Sequence, residues 1–195
     1  LTTMQQAAGA NINKTILCQL NFRQAMSFAL NRADFCLATS PTNAPGFGLY
    51  SSLIICNPEE GTPYRATDQA KNVLVNFWGL ANDIGAGKLY EDVDEAIESI
   101  TGYNLTKAKQ LFDEAYDEAI AAGTMKATDV VEIKIGTPNG TSKFYNNGYE
   151  YLVNCYTEAV KGTKFEGKLQ FTRDDTLGNG FSDALKNNQV DMLFG

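Results

Sequence analysis

Histidine is absent from the sequence. Its absence removes the Ser-His and Cys-His nucleophile pairs, the commonest zinc ligand and the usual general base near neutral pH. The four cysteines, Cys18, Cys36, Cys56 and Cys155, include no C-x-x-C pair. Zinc and iron–sulfur sites want closely spaced ligands, so no metal and no cofactor is expected. Buried free thiols are the default reading, with one or two disulfides left open. No apolar run approaches the ~18–20 residues that span a bilayer. Positive charge is also scarce: 16 Lys and Arg stand against 23 Asp and Glu, a net charge of −7. That field repels polyanions, and no basic stripe with interleaved aromatics offsets it, so nucleic acid is not an expected partner. No targeting segment is expected within this sequence, whose first residues lack a basic region followed by an apolar core.

What is present suffices for a folded domain. The 195 residues are 44% hydrophobic and 20% charged, a globular composition with enough apolar material for one full core. The acidity is concentrated in 91–118, where nine acids face two bases, Lys107 and Lys109. On helices such a run reads as a solvated face. Residues 91–98 also lack the central glycine of a calcium loop. At the end, Val190-Asp-Met-Leu-Phe-Gly195 has the pattern of a strand in full stride. Both ends therefore read as cut, and the chain is expected to be an excised domain of a longer protein.

Helical periodicity dominates the first two thirds. Asn21 stands at an N-cap position, followed by Phe22, Ala25, Met26, Ala29 and Leu30 at i, i+3, i+4, i+7 and i+8. Residues 38–63 hold four of the five prolines and predict a long, mostly irregular connection, of a length that is often functional. A helix is expected from Thr67 to Trp78 with Ala70, Val73, Leu74 and Phe77 inward. A short acidic helix over 92–101 follows, burying Val93, Ala96, Ile97 and Ile100. Asn104 then caps the strongest helix, which Gly123 stops.

Period two takes over beyond it. Val131, Ile133 and Ile135 alternate with Glu132 and Lys134, a strand. A turn over Thr137–Ser142 supplies an N-cap, a helix runs from Phe144 to Val160, and a second strand from Lys168 to Arg173. A loop over 174–180, a short helix over 181–187 and a third strand over 190–194 complete a βαβαβ order, which implies parallel pairing. The fold class is α/β, a helical first half followed by a mostly parallel sheet, in a single domain over 1–195.

Parallel α/β sheets meet ligands beyond the C-terminal ends of their strands. Three such edges can be named here: Thr137–Ser142, Asp174–Gly178 and Phe194–Gly195. The first presents backbone N–H groups at a helix N-terminus, suited to a carboxylate or carbonyl oxygen. The second presents Asp174 and Asp175, suited to an ammonium group. The same residues have plain structural readings, as turn and cap residues at Asn139, Thr141 and Ser142 and as caps at the two acids.

Several segments resemble the family 5 extracellular solute-binding proteins, the oligopeptide and dipeptide binders of ABC importers. Phe22, Arg23, Ala25, Ser27, Ala29, Asn31 and Arg32 match one signature of that family. Gly102-Tyr-Asn-Leu-Thr-Lys-Ala-Lys-Gln-Leu111 is similar to a second, and Tyr64–Lys71 is similar to a version in Gram-positive oligopeptide binders. Val190–Gly195 is similar to the strand on which the chain leaves the second lobe. The resemblance implies a type II periplasmic-binding-protein-like lobe, the C-terminal one of two. It also implies an extended peptide held between lobes through main-chain hydrogen bonds, and delivery to permease subunits of an ABC transporter. The expected place is the outer face of the membrane, through a lipid anchor outside this chain, or the periplasm. Placed on this sequence, the ligand-binding positions are Asn139, Gly140, Thr141, Asp174, Leu177 (or its neighbour Gly178), Phe194 and Gly195. The acid that often grips a peptide's amino terminus in that family would fall beyond Gly195, and relatives bind nickel chelates, haem or oligosaccharides instead. Two other classes stand beside this one: a carboxylate hydrolase working through Asp174 or Asp175, and a surface protein-interaction module using 38–63. No enzymatic activity is expected.

Overall fold

A computed structural model describes residues 15–40, 42–48, 53–187 and 189–194. The chain is mixed α/β with a small parallel sheet. Read from sequence as one domain over 1–195, it divides into two compact units, Leu1–Asn43 with Tyr103–Gly195, and Ala44–Gly102.

The described residues of the larger unit begin with a 3-10 turn, then α1 (Leu20–Phe28) and α2 (Arg32–Thr39). The expected cap at Asn21 is displaced. The helix starts two residues earlier with Gln19 at the cap position, and Asn21 Nδ2 instead donates to Glu118 Oε1 at 2.7 Å. Nor does one helix continue through Leu30. The chain breaks there, and Asn31 Oδ1 accepts from the Ala33 and Asp34 N–H groups to start α2, which periodicity did not disclose. Arg32 reaches back across the break to Ser27 Oγ at 2.9 Å.

α5 (Leu105–Ala121) follows the expected design. Asn104 Oδ1 accepts from the Lys107 N–H at 2.9 Å, and Gly123 sits at φ 66 just past the helix end, a conformation that favours glycine. Ala108, Leu111, Phe112, Ala115, Tyr116 and Ala119 form its buried stripe, while Ile120 is exposed. Against this stripe α1 lays Phe22, whose ring meets Phe112 and Phe165 edge-on at 5.5 and 5.4 Å. Such offset contacts match the charge distribution of aromatic rings.

The sheet has the order β4-β3-β5, with β3 (Val131–Gly136) parallel to both β4 (Leu169–Asp174) and β5 (Met192–Leu193). Val131, Ile133 and Ile135 are buried, as their alternation requires, and the side chains of Glu132 and Lys134 take the other face. α6 (Lys143–Val160) connects β3 to β4. The last helix is shorter than expected, α7 (Phe181–Ala184), and the last strand covers only two residues.

The smaller unit holds a short antiparallel pair, β1 (Ile55–Asn57) with β2 (Thr62–Pro63), and two helices, α3 (Asp68–Phe77) and α4 (Val93–Glu98). Thr67 and Asp92 cap the helices through their side chains. The expected inward face of α3 is corrected: Val75 is buried, whereas Val73 and Phe77 are exposed. α4 buries Ala96, with Ile100 buried just beyond it. Apolar exposure elsewhere in this unit includes Leu53, Ile54 and Ile55.

The reading of buried free thiols is half right. All four cysteines are free, but none is fully buried, and Cys56 is exposed. Among the described residues no group of His, Cys, Asp or Glu is placed to hold a metal, and no helix is long and apolar enough to cross a membrane.

Candidate functional site at the strand ends

The register of the sheet decides which expected residues meet. Ile135 pairs with Arg173 and Gly136 with Asp174, so β3 and β4 end side by side. The Thr137 N–H donates to the Asp174 carbonyl at 2.8 Å, extending the ladder by one bond. The Gly178 N–H then donates to the Pro138 carbonyl at 2.9 Å, tying the loop after β4 to the loop after β3. From β5, the Phe194 N–H donates to the Gly136 carbonyl at 2.9 Å. Three chain segments thus converge around Gly136. A β-carbon there would lie 2.7 Å from Leu177 Cδ1, 3.0 Å from Leu193 Cδ2 and 3.1 Å from Val190 Cγ1, which accounts for the glycine.

Asn139, Gly140 and Thr141 form one loop with a specific internal bonding. Asn139 Oδ1 accepts from the Thr141 N–H at 3.1 Å, the Ser142 N–H at 3.0 Å and Thr141 Oγ1 at 3.1 Å. Asn139 is therefore the loop's own cap, and Ser142, at the position before α6, makes no capping bond with its side chain. Two of the N–H groups expected to face a ligand are spent in this way. The N–H groups of Asn139 and Gly140 donate to no described residue, and they are the open donors of the loop. A β-carbon on Gly140 would strike the Asp175 carboxylate, so the first and second loops touch at this point.

Asp174 is the last residue of β4 and Asp175 the first of the loop beyond it, and the two carboxylates have different neighbours. Asp174 Oδ1 accepts from Thr176 Oγ1 at 2.8 Å and from the Thr176 N–H at 3.1 Å, while Lys134 Nζ stands 4.0 Å from its second oxygen. The Thr176 hydroxyl above all, with the Thr176 N–H and Lys134, holds this carboxyl below the usual carboxylate range against the opposing effect of burial. With Thr176, Leu177 and Gln189 the pair lines an open depression of about 480 Å³. Asp174 and Leu177 thus line a depression that Asn139 and Gly140 do not border, and Asp175 takes the place beside Gly140.

Phe194 is half-buried and largely enclosed by aromatic neighbours. Its ring stacks on Phe144 at 5.3 Å and 20°, meets Phe35 edge-on at 5.3 Å and Tyr145 at 6.1 Å, and covers Gly148. It packs α2 and α6 together as much as it borders an edge. Gly195 lies outside the described residues.

Sequence reasoning passed over Arg173 and Asn146. Arg173 shares the inner face of β4 with Phe171, and its guanidinium donates from Nε to Thr137 Oγ1 at 3.0 Å, from Nη1 to Asn146 Oδ1 at 2.8 Å and from Nη2 to the Asn139 carbonyl at 3.0 Å. It also lies 5.3 Å from the centre of the Tyr149 ring. Burial pushes the Tyr149 hydroxyl upward in pKa, with the Arg173 charge opposing. A charged residue in phase with the apolar side of an alternating strand was the available signal, since such a group needs partners.

Other cavities lie within each unit. In the larger unit, Arg23, Met26, Arg32, Tyr156, Asp191 and Met192 border a space of about 500 Å³. In the smaller, Phe47, Tyr64, Val73, Leu74 and Ile97 border a groove of about 340 Å³, with a Lys71–Asp94 ion pair of 2.6 Å at its side. No family model matches the chain, and no curated protein sequence does.

Proposed function

We propose that this chain is the ligand-gripping C-terminal lobe of a two-lobed solute-binding protein that passes extended oligopeptides to the permease of an ABC importer. The observation that carries the reading is the meeting of the loops after β3 and β4 at Gly140 and Asp175, beside the open N–H groups of Asn139 and Gly140. Backbone donors next to a carboxylate suit a peptide, whose carbonyls accept and whose ammonium donates. On this proposal Asn139, Gly140 and Thr141 form the peptide-facing rim with Asp175, and a second lobe supplies the opposite wall. The protein then works outside the cytoplasmic membrane.

The residues of the Phe22–Arg32 signature support the same reading by having distinct physical duties. Phe22 fills the aromatic core, Asn31 caps α2, and Arg32 braces the helix break through Ser27. Asp174 itself does not suit the part of an acid catalyst, which needs a carboxyl whose pKa is raised, because its own is lowered.

The test is to purify the native protein without denaturation and identify any co-purifying small molecules by mass spectrometry, with calorimetry on a tri- to hexapeptide pool. Recovered or bound peptides support the proposal. A haem, metal chelate or oligosaccharide in their place would replace the ligand class while keeping the binding role. A second reading, a surface protein-interaction module, draws on exposed Leu53, Ile54 and Ile55 within 38–63. It gains if deleting that stretch abolishes partner binding and leaves peptide affinity intact.

A further inference from the structure

We infer that Arg173 is the positioning residue of the ligand loop, holding 137–142 in its binding shape before any ligand arrives. The inference rests on the function proposed above. The guanidinium reaches three residues of the neighbouring connection: Thr137 at the loop's start, Asn139 at its turn and Asn146 at the end of the first turn of α6. Asn146 completes the bracket, donating from Nδ2 to the Gly140 carbonyl at 3.1 Å. The carbonyls of Asn139 and Gly140 are thereby both occupied from the inner side of the sheet. The N–H groups of the same two residues are left open. A loop held by its carbonyls and open at its amides is prepared for an acceptor, a peptide carbonyl or carboxylate.

The fork geometry is the reason for arginine. Its rigid plane carries five N–H donors, and three of them meet three acceptors contributed by different parts of the connection. A lysine ammonium has the charge without that spread. The Tyr149 ring beside the guanidinium supplies an apolar and polarisable wall. Arg173 thus acts through the loop. It is not a direct grip on a ligand carboxylate, because most of its donors are already engaged.

Native-state amide hydrogen exchange on the full chain tests this with Arg173→Lys and Arg173→Gln. The Thr141 and Ser142 amides, bonded to Asn139 Oδ1, are expected to lose protection by about tenfold or more in both variants, and those of Ile133 and Ile135 to change by less than about twofold, as local opening differs from global unfolding. Unchanged loop protection overturns the inference, as does equal loss in loop and strand, which would mark a general structural role. Retained protection in Arg173→Lys alone would also overturn the fork argument. A second arm measures affinity of the native protein for tetra-alanine, expected to weaken by about tenfold in both variants as pre-organisation is lost. Equal affinity in wild type and variants, with the loop loosened, overturns the inference while leaving peptide binding standing. If wild type binds neither tetra-alanine nor the peptide pool, the functional proposal falls, and loop positioning is decided by the exchange data.

Discussion

Gly148 and the ring of Phe194 share one volume: a β-carbon on Gly148 would collide with the Cε1 and Cζ atoms of Phe194. The ring has little room to yield, because Phe144 stacks on it and Phe35 meets it edge-on. Glycine inside α6 therefore exchanges helix propensity for a close approach of the last residues of the sheet.

This gives a prediction with a sign reversal. Overpacking costs about 1–3 kcal/mol, while Ala regains about 1 kcal/mol of helix propensity over Gly. Gly148→Ala is expected to lower stability by about 1 kcal/mol. In a Phe194→Ala background the same substitution is expected to raise it. Urea unfolding of the four proteins of that cycle is the check, and an identical effect in both backgrounds would refute the shared volume.

Asn139 offers a test of loop chemistry. Its side-chain oxygen accepts three hydrogen bonds, and its amide nitrogen makes none with the described residues. Asn139→Ala is expected to cost about 1 kcal/mol, in the range of a lost cap, and Asn139→Asp to cost little because the acceptor survives. Chemical denaturation of both variants decides the matter. An Asp variant as damaged as the Ala variant would mean that the oxygen is not what holds the turn.

Acid stability should carry a mark of Asp174. Its pKa in the folded protein is lowered, chiefly by the Thr176 hydroxyl. The charged form is therefore favoured by folding, and its stabilisation is fully present above the unfolded value of about 3.9. It is lost as pH falls through the lower folded value. Asp174→Asn and Thr176→Val are each expected to flatten the stability curve on its acid side below about pH 5 and to leave its shape near neutrality unchanged. Steepness on the acid side equal to that of wild type would contradict the assignment.

Thiol reactivity follows from exposure. Cys56 is exposed, whereas Cys155 is half-buried and burial pushes its thiol pKa up. A thiolate-trapping disulfide reagent should label Cys56 first and Cys155 much more slowly, with all four thiols counted in denaturant. Cys56→Ser should delete the fast phase. Fewer than four thiols in denaturant would mean a disulfide that the structure does not contain.

The sequence disclosed those parts of the fold that local chemistry controls. Asn104 and Gly123 bound α5 as read, and Val131, Ile133 and Ile135 mark the central strand because burial on one face imposes period two. Elements decided by distant partners were hidden. At the break over Ala29–Asn31 the Phe28 carbonyl accepts from the Asn104 N–H and the Asn31 carbonyl from the Tyr151 hydroxyl, and the facing of α3 depends on which of its sides finds a neighbour in the smaller unit. At the strand ends the grouping of Asn139, Gly140 and Thr141 was legible from adjacency in the chain. The separation of Asp174 from Asp175 depends on β4 ending between them, which spacing does not disclose, and the phase of Arg173 in the strand marks it as needing partners without saying which three distant residues supply them.

Beta3 occupies the middle of the sheet, yet both strands that flank it come later in the chain. During synthesis it leaves the ribosome with two bare edges and the apolar side chains of Val131, Ile133 and Ile135, and it waits for all of α6 before β4 can zip alongside. A nascent chain stalled within α6 is therefore a sticky species. Chaperone demand for this protein should peak in that interval, before the second strand emerges.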